Sequence, residues 1–394
     1  IDPKTMAKPR VVDRIFHRPD LAERLTRIVL DNSPTSASPS GVFLSAPRRT
    51  GKTTFLRQDL IPALNGAGAL VVYVDLWSDR AADPGQVIIA AVKAVLAMHA
   101  PAVKRLAEKA GISGGKVAGI EFSVDKLGIA SDATLVEMFV ALSDTTEKVI
   151  VLLIDEAQHA STTVAGADAL FALKAARDEL NSNQHFGLRV VCTGSNQDKL
   201  AMLRSSKDQA LFGAPLVSFP PLGDDYIEWF CTNTNGLPKP LLPQTVAPLF
   251  KRAGNRPEML GAAVDALRFD FNLAADHVQE RFSEAVETQI NDANQDLLRT
   301  IRSLTPIQAA VLKVMAASGT DFAPFEAATL DRYQQAMRSS GSKEFKRMEV
   351  TNVQQALTAL QEKGLAWRAA RGVYAIDDPL TVEVMRASGM LTEK

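Results

Sequence analysis

A stretch of ten residues constrains the fold of this chain more than any other part of its sequence. Residues 45–54 read Ser-Ala-Pro-Arg-Arg-Thr-Gly-Lys-Thr-Thr, after an apolar run at 42–44 and before a helical pattern at 55–60. A strand, a turn and a helix in this order are the context of a phosphate-binding loop. The amides of such a loop converge on phosphate oxygens, and the helix N-terminus adds a partial positive charge. The stretch therefore predicts a P-loop between a strand and a helix of an α/β sheet.

The residue types within this loop predict separate roles. Lys52 is expected to reach the β- and γ-phosphates of a nucleotide, and the Thr53 hydroxyl is expected to ligate Mg²⁺. Ala46 stands where the first glycine of such a loop usually lies, and its methyl group is tolerable only if its φ is negative. The alternative is a chance Gly-Lys-Thr. The residues expected to contact the nucleotide are Ala46, Pro47, Arg48, Arg49, Thr50, Gly51, Lys52, Thr53 and Thr54.

A second motif lies further along the chain. An unbroken apolar run at 149–154 ends in Asp155 and Glu156, which predicts a buried central strand of a parallel sheet. Ligands of such sheets bind beyond the carboxyl ends of the strands. We expect Asp155 to hold Mg²⁺ through water and Glu156 to orient or deprotonate an attacking water. An acidic turn capping the next helix is the alternative, and the upstream Lys52 argues against it.

Composition sets broader limits on the chain. Its 394 residues, of which 46% are hydrophobic, are enough for two or three domains with substantial cores. A net charge of −1 gives no global attraction to nucleic acid, so DNA binding needs a local patch. The apolar stretches are too short or too interrupted to span a bilayer, and we expect no membrane partner.

The cysteines, the histidines and the N-terminal residues predict a cytoplasmic protein. Cys192 and Cys231 show no spacing pattern, and the five histidines are scattered without a zinc-like cluster. The charged N-terminus contains no apolar region typical of a secretory leader. We interpret residues 1–5 as an expression tag before Met6.

Strands alternate with helices over the first half of the chain, and helices dominate the second half. This order predicts a parallel P-loop NTPase sheet flanked by helices, an α/β fold, followed by an all-helical lid and a winged helix-turn-helix. Asp224 is expected to cap the first lid helix, and Thr305 the first C-terminal helix. A Gly-rich segment at 111–130 suggests a hairpin or an irregular insertion of open role. The predicted parts are a tag and N-terminal tail at 1–10, a P-loop core at 11–222, a lid at 223–300 and a winged-helix domain at 301–394.

The order of these motifs resembles the AAA+-like and STAND-type P-loop ATPases of bacteria and archaea that carry a C-terminal winged helix. The resemblance spans nearly the whole chain and implies ATP and Mg²⁺ as cofactors. The segment at 16–21, Phe-His-Arg-Pro-Asp-Leu, looks like the family segment that helps to form the base pocket, which implies that Arg18 contacts the nucleotide. His17 stands where that family usually has glycine. An exposed helix cap is an equally good interpretation of this segment.

Two further sites of this family have counterparts in the chain. The polar residues after the strand ending at Thr193 resemble the sensor 1 position, which implies that Ser195 or Asn196 contacts the γ-phosphate or the water; a polar turn is the alternative. The sequence leaves the choice between these two residues open. Gly-Asn-Arg-Pro at 254–257 is similar to sensor 2, which implies that Arg256 reaches the phosphates. A helix-capping turn is the alternative there.

No arginine finger follows from the sequence. The Phe-Gly at 212–213, after which this family often has an arginine, is followed by Ala-Pro. Arg204, Arg48 and Arg49 are the alternatives. Without such a group turnover is expected to be slow, since an arginine finger accelerates hydrolysis by several powers of ten.

The predicted winged-helix domain is the candidate for binding duplex DNA, through residues 343–371. Helix 352–363 has an apolar stripe at Val353, Ala356, Leu357 and Leu360, and an opposite face bearing Asn352, Gln355, Thr358 and Gln361, types that can read base edges. Residues 301–394 contain twelve Lys and Arg against ten Asp and Glu, a weak excess for a DNA-binding domain. A protein-docking winged helix is therefore the alternative. The basic residues expected to meet phosphates are Lys343, Lys346, Arg347, Lys363, Arg368 and Arg371.

Together these patterns predict a Mg²⁺-dependent enzyme that binds and hydrolyses ATP and couples nucleotide state to a DNA-binding winged helix. The alternative is a slow nucleotide switch in signalling or defence whose winged helix docks protein. A degenerate nucleotide-binding scaffold is a third possibility, because of Ala46. The sequence leaves open whether ATP or GTP is preferred, and whether the chain forms a homo-oligomer or binds a protein partner.

Overall fold

The computed structural model describes most of the chain from residue 15 onwards. The described residues are 15–79, 82–99, 116–117, 120–123, 128–129, 134–182, 184–195, 200–201, 203–204, 209–339, 348–370 and 372–391. Within these residues, no helix combines the length and the apolar character that crossing a bilayer needs.

A five-stranded parallel sheet forms the centre of the first half of the chain. The strands are β1 (Val42–Ser45), β2 (Leu70–Asp75), β6 (Ile150–Asp155), β7 (Leu188–Gly194) and β8 (Leu216–Ser218). They lie in the spatial order β2, β6, β7, β1, β8. Strand β6 is buried along its whole length, as its unbroken apolar run predicts. Strand β7 lies between β1 and β6, so the strand before the P-loop and the strand ending in the two acids are not neighbours.

Helices alternate with these strands along the chain. They are α1 (Pro19–Val29), α2 (residues 52–66), α3 (Pro84–Met98), α4 (Leu135–Thr146) and α5 (Val164–Leu180). The apolar faces of α3, α4 and α5 share one core with β2, β6 and β7. Helix α2 contains a π-helical stretch at Leu56–Leu60, a local irregularity that often marks functional sites.

Side-chain caps begin three of these helices. Asp83 accepts the backbone N–H groups at the start of α3, and Thr134 forms a capping box with Glu137 at the start of α4. Thr163 caps α5 by accepting the N–H of Gly166.

Short antiparallel strands lie within the Gly-rich segment. Strand β3 (Lys116–Val117) pairs with β4 (Ile120–Ser123), which pairs with β5 (Gly128–Ile129). The hairpin alternative for this segment is therefore correct for its described residues.

The lid region is all helical, as expected. Its helices are α6 (Asp224–Asn233), α7 (Pro243–Arg252), α8 (Pro257–Arg268) and α9 (Val278–Arg302). They bury a core of their own that includes Phe250 and Phe282. The expectation that Asp224 caps α6 is wrong, because Gly223 is the N-cap and no side chain bonds there. Asp224 is instead the first helical residue, where its charge favours the helix dipole.

The C-terminal region contains three helices followed by a two-stranded antiparallel hairpin and a last helix. These elements are α10 (Pro306–Ser318), α11 (Ala327–Ser339), α12 (Val350–Glu362), β9 (Ala366–Ala370), β10 (Val373–Ile376) and α13 (Leu380–Ala387). Thr305 caps α10 in a capping box with Gln308, as the sequence predicts. Helix α13 has no counterpart in the sequence prediction. The apolar stripe of α12 is buried in the separate core of this region, as expected.

The described chain forms two compact units. One contains the residues up to 25 together with 48–63 and 220–293, and so joins the P-loop helix to the lid. The other contains 26–47, 64–219 and 294–394, and so joins the sheet to the C-terminal region. The domain boundaries at 222/223 and 300/301 remain predictions.

Candidate functional site

The P-loop backbone adopts the conformation that its glycine predicts. Gly51 is the N-cap of α2 with a φ of 84°, a left-handed conformation that disfavours a side chain. Lys52 and Thr50 are buried, whereas Arg49 is exposed with a φ of 64°. Ala46 is buried and is not among the residues with positive φ. The condition under which a methyl group is tolerated at Ala46 is therefore met.

A cleft of about 1600 Å³ lies within the unit that contains the P-loop helix and the lid. Helix α6 lines the cleft with Tyr226, Trp229 and Phe230, and α8 lines it with Pro257 and Glu258. A flat ligand can stack on such rings, and the N-terminus of α2 favours an anion. The P-loop residues in its wall are Arg49, Thr50, Gly51, Thr53 and Thr54.

The segment before α1 is fastened to both α2 and α6. Nδ1 of His17 lies 2.7 Å from Oδ1 of the buried Asp59, whose other oxygen accepts the backbone N–H of Arg18 at 3.2 Å. The ring of Phe16 packs edge-on against that of Tyr226, with centroids 5.4 Å apart, and against Trp229 at 5.7 Å. The histidine at the position where the family usually has glycine therefore holds this segment on α2.

Arg18 lines the same cleft, and its guanidinium bonds to the chain that leads into the lid. It donates to the carbonyl oxygens of Pro220 at 2.8 Å and Pro221 at 3.3 Å. Burial lowers the pKa of Arg18, while the nearby carboxylates of Asp225 and Asp59 oppose that shift. The contact of Arg18 with a nucleotide base remains a prediction.

Arg256 precedes the first turn of α8, in a tight left-handed turn. Gly254 has a φ of 70° and Asn255 a φ of 53°. The side chain of Arg256 is 18% exposed, and its Nε lies 3.1 Å from Oε1 of Glu258. The same oxygen lies 3.8 Å from a guanidinium nitrogen of Arg49 in the P-loop. The carboxylate of Glu258 is therefore the ion-pair partner of two arginines from different elements of this unit.

Asp155 ends β6 and is oriented from two neighbouring strands. The Thr193 hydroxyl of β7 donates to its Oδ1, and so does the backbone N–H of Glu156 at 3.0 Å. The Tyr73 hydroxyl of β2 lies 3.4 Å from its Oδ2. Asp155 is 1% exposed, so these bonds limit the cost of its burial. The hydroxyl donors are neutral, so they orient the carboxylate without neutralising it.

Glu156 follows in the left-handed region, with a φ of 55°. Gln158 donates to its Oε2 at 2.6 Å, and the Ser195 hydroxyl donates to the same oxygen at 3.2 Å. The structure thus brings Ser195 to Glu156. Asn196, the other candidate for this position, lies outside the described residues. A non-glycine residue in this conformation costs about 1–3 kcal/mol and is often found at functional sites.

Gln158 is a residue that the sequence analysis missed. It is fully buried, and a Cβ added at Gly194 would lie 2.3 Å from its Oε1. Glycine at the end of β7 therefore makes room for the glutamine that bonds Glu156. Thr193 and Glu258 were also missed, because Thr193 bonds Asp155 and Glu258 pairs with Arg49, partners that are distant in sequence.

The residues present suit the magnesium ion that the motifs imply. Mg²⁺ is usually bound by one or two carboxylates, water and substrate phosphates rather than by a cluster of protein ligands. Asp155 supplies such a carboxylate, and Thr53 supplies a hydroxyl at the start of α2. Among the described residues, no group of three or more His, Cys, Asp or Glu could hold a metal by itself.

The candidates for an arginine finger differ in their surroundings. Nε of Arg204 donates to the carbonyl oxygen of Ala214, so this side chain braces its own loop. Arg48 and Arg49 are exposed in the P-loop. The arginine finger remains unassigned.

Strand β9 of the C-terminal hairpin packs against a 3₁₀ segment, Ala157–Thr162, within the same compact unit. This segment directly follows Glu156. Trp367 of β9 is buried, and Tyr374 of β10 lies in the C-terminal core, where its hydroxyl accepts from Gln354 at 3.0 Å. Lys363 and Arg368 are exposed, and the other four basic candidates, Lys343, Lys346, Arg347 and Arg371, lie outside the described residues.

The described fold is a parallel five-stranded sheet flanked by helices and followed by a helical C-terminal region, as the sequence predicts. No protein-family model matches the sequence, and no curated protein matches it. The STAND assignment stays a prediction.

Similar solved structures extend over nearly the whole chain. The ORC2 protein of Aeropyrum pernix in its ADP form has a TM-score of 0.52 at 14% identity, covering 95% of this chain and 97% of that one. The Walker-type ATPase PABY2304 of Pyrococcus abyssi has a TM-score of 0.49 at 17% identity, covering 94% and 96%. The ORC1 protein of Aeropyrum pernix in complex with DNA has a TM-score of 0.43 at 16% identity, covering 97% of each chain. At this identity, the likeness to the ORC2 protein shows the fold alone.

Proposed function

We propose that this chain binds ATP with Mg²⁺, hydrolyses it slowly and couples its nucleotide state to the C-terminal domain. The observation that carries the proposal is the cleft of about 1600 Å³, in which P-loop residues and three aromatic rings of α6 line one cavity. Such a cavity suits a ligand with a flat base and an anionic tail. Its size is ample for a nucleotide, since ligand pockets usually measure about 300–1000 Å³.

The chemistry follows from the residues that the motifs supply. Lys52 and the loop amides hold the phosphates, and Thr53 and Asp155 hold Mg²⁺, which neutralises phosphate charge when it is bound. Glu156 aligns the attacking water and accepts its proton. The hydrogen bonds from Ser195 and Gln158 to Oε2 orient the carboxylate of Glu156.

The contact between β9 and residues 157–162 supports coupling to the C-terminal domain. A change of conformation at Glu156 reaches that segment directly, because the segment is the next one along the chain. The hairpin packed against it then provides a physical route from nucleotide state to the C-terminal domain.

Calorimetry and phosphate release test the enzymatic part. We expect ATP to bind the wild type in magnesium buffer and to bind Lys52→Ala much more weakly. Glu156→Gln should keep ATP binding and lose steady phosphate release. Retained turnover in Glu156→Gln contradicts the assigned base, and absence of both ATP and GTP binding by the wild type removes the proposal.

DNA binding is the proposed task of the C-terminal domain, supported by the polar face of α12 and by the basic residues close to this helix in the sequence. Binding of duplex DNA should weaken steeply with salt, and substitution of Lys343, Lys346 and Arg347 by glutamine should flatten that slope. Two observations favour protein docking instead: the charge excess of only two, and the packing of β9 on the core. Absence of DNA binding at low salt, with and without ATP, would decide for protein docking.

A further inference from the structure

Glu258 links the P-loop to the start of the lid helix α8. Its Oε1 lies 3.1 Å from Nε of Arg256 and 3.8 Å from a guanidinium nitrogen of Arg49. The side chain of Glu258 is 38% exposed, and the residue lines the same cleft as Thr50, Gly51 and Thr53. A carboxylate therefore stands where the anionic tail of a nucleotide is proposed to bind.

The charges in this part of the cleft oppose one another. Arg49 and Arg256 attract anions, and the carboxylate of Glu258 compensates both while also repelling phosphate. The negative charge of Glu258 also acts on the buried Tyr226 hydroxyl in the wall of the cleft, where burial first and Glu258 second raise the pKa. Glu258 thus acts electrostatically on Arg49, on Arg256 and on Tyr226 in the wall of the cleft.

We propose that Glu258 is an internal counter-ion that holds Arg49 and Arg256 together and that the phosphates of a nucleotide displace. This inference rests on the proposed nucleotide site. In this scheme, phosphate binding exchanges one anion for another: Arg256 leaves Glu258 for the phosphates, and the ion pair between the P-loop and α8 breaks. Glu258 therefore weakens nucleotide binding. It also couples nucleotide binding to the lid, because the ion pair with α8 breaks when phosphate binds.

Glu258→Gln tests the inference, because glutamine keeps the size of the side chain and removes its charge. We expect ATP to bind this variant about two- to fivefold more tightly than the wild type, the range of a partly exposed ion pair. The gain should shrink as salt is raised, since the interaction is screened. Inorganic tripolyphosphate should show the same gain, and adenosine, which carries no phosphate, should show none.

Glu284→Gln is the matched control, because Glu284 also lies on a lid helix and pairs with an arginine, Arg281, at 2.9 Å. Its side chain is 56% exposed, and it is not among the residues that line the cleft. ATP affinity should not change in this variant. In an Arg256→Ala background the gain from Glu258→Gln should fall, because one of the two compensated cations is absent.

The outcomes separate this inference from the proposed function. If the wild type binds ATP and Glu258→Gln binds it equally or more weakly, the counter-ion role is wrong and the nucleotide site stands. A lower melting temperature of Glu258→Gln with unchanged affinity also refutes the role, since it indicates only a favourable charge in the first turn of α8. If the wild type binds neither ATP nor tripolyphosphate, both proposals fail.

Discussion

Asp155, the proposed Mg²⁺ ligand, is a buried carboxylate that neighbouring side chains orient. Its partners Thr193 and Tyr73 come from the strands on either side of β6, and both are neutral hydroxyls. Glu156, the next residue, is held by Gln158 and Ser195. At the scale of single residues, each of the two acids is therefore held by hydrogen bonds from polar side chains around it.

Thr193→Val tests the orientation of Asp155. Valine keeps the shape of threonine and removes the donor, so a buried carboxylate loses a bond worth about 1–3 kcal/mol. We expect a higher Mg²⁺ requirement for ATP turnover, measured by titrating Mg²⁺ at fixed ATP. Thr146→Val is the control, because that hydroxyl bonds only the Leu142 carbonyl oxygen of its own helix at 2.7 Å. An unchanged Mg²⁺ titration in Thr193→Val would contradict this assignment.

Cys192 gives a prediction that depends on pH. Burial raises the pKa of this thiol to about 12. The unfolded thiol ionises near pH 8.5, so the contribution of the neutral thiol to stability is complete below that pH and is lost as the pH rises towards 12. We expect iodoacetamide at pH 8.5 to leave Cys192 unmodified in the folded protein and to alkylate it in denaturant, as peptide mass spectrometry would detect. Rapid alkylation of Cys192 in the folded protein would show that this thiol is not buried in β7.

The 3₁₀ segment Ala157–Thr162 directly follows Glu156 and helps to fix its position. It begins after Glu156, contacts β9 and packs against α5. Thr163, directly after the segment, caps α5 through the N–H of Gly166. The position of Glu156 is therefore tied to the start of a helix and to a hairpin distant in sequence.

Gly166→Ala should disturb this element. A Cβ at Gly166 would lie 2.1 Å from the carbonyl oxygen of Ala160, a backbone atom that cannot move aside without shifting the segment. We expect a loss of about 1–3 kcal/mol in the free energy of unfolding, measured by urea titration. Gly66→Ala is the control, because nothing lies within 4 Å of the added atom. Equal stability of both variants would contradict the packing described here.

At the scale of the whole molecule, the sheet and the C-terminal region share a compact unit, and the P-loop helix shares the other with the lid. The first of these units buries the cores of the sheet and of the C-terminal region, and the second buries the core of the lid.

Trp367→Ala tests the coupling at this scale. The residue is buried in β9, the strand packed against residues 157–162, so its truncation should loosen that contact. We expect ATP affinity to remain within about twofold and steady turnover to change severalfold, since the change acts on catalysis rather than binding. Val373→Ala, on the exposed side of the same hairpin, is the control. Unchanged turnover in Trp367→Ala would show that the hairpin is not coupled to Glu156.

The sequence by itself determined what depends on neighbours along the chain. The P-loop turn, the buried strand before Asp155 and the capping box at Thr305 all follow from residues within a few positions of one another, because turn, cap and strand preferences are local. The misplaced cap at Asp224 is an error of one residue, because sequence patterns locate a helix end only to within one or two residues.

The tertiary structure alone decided which distant residues meet. No local pattern states that β7 lies between β1 and β6, that Thr193 bonds Asp155, or that Gln158 fills the space left by Gly194. The same holds for Glu258, whose two arginine partners come from different elements. These contacts depend on strand order and packing, which arise from burial summed over the whole core rather than from any single segment.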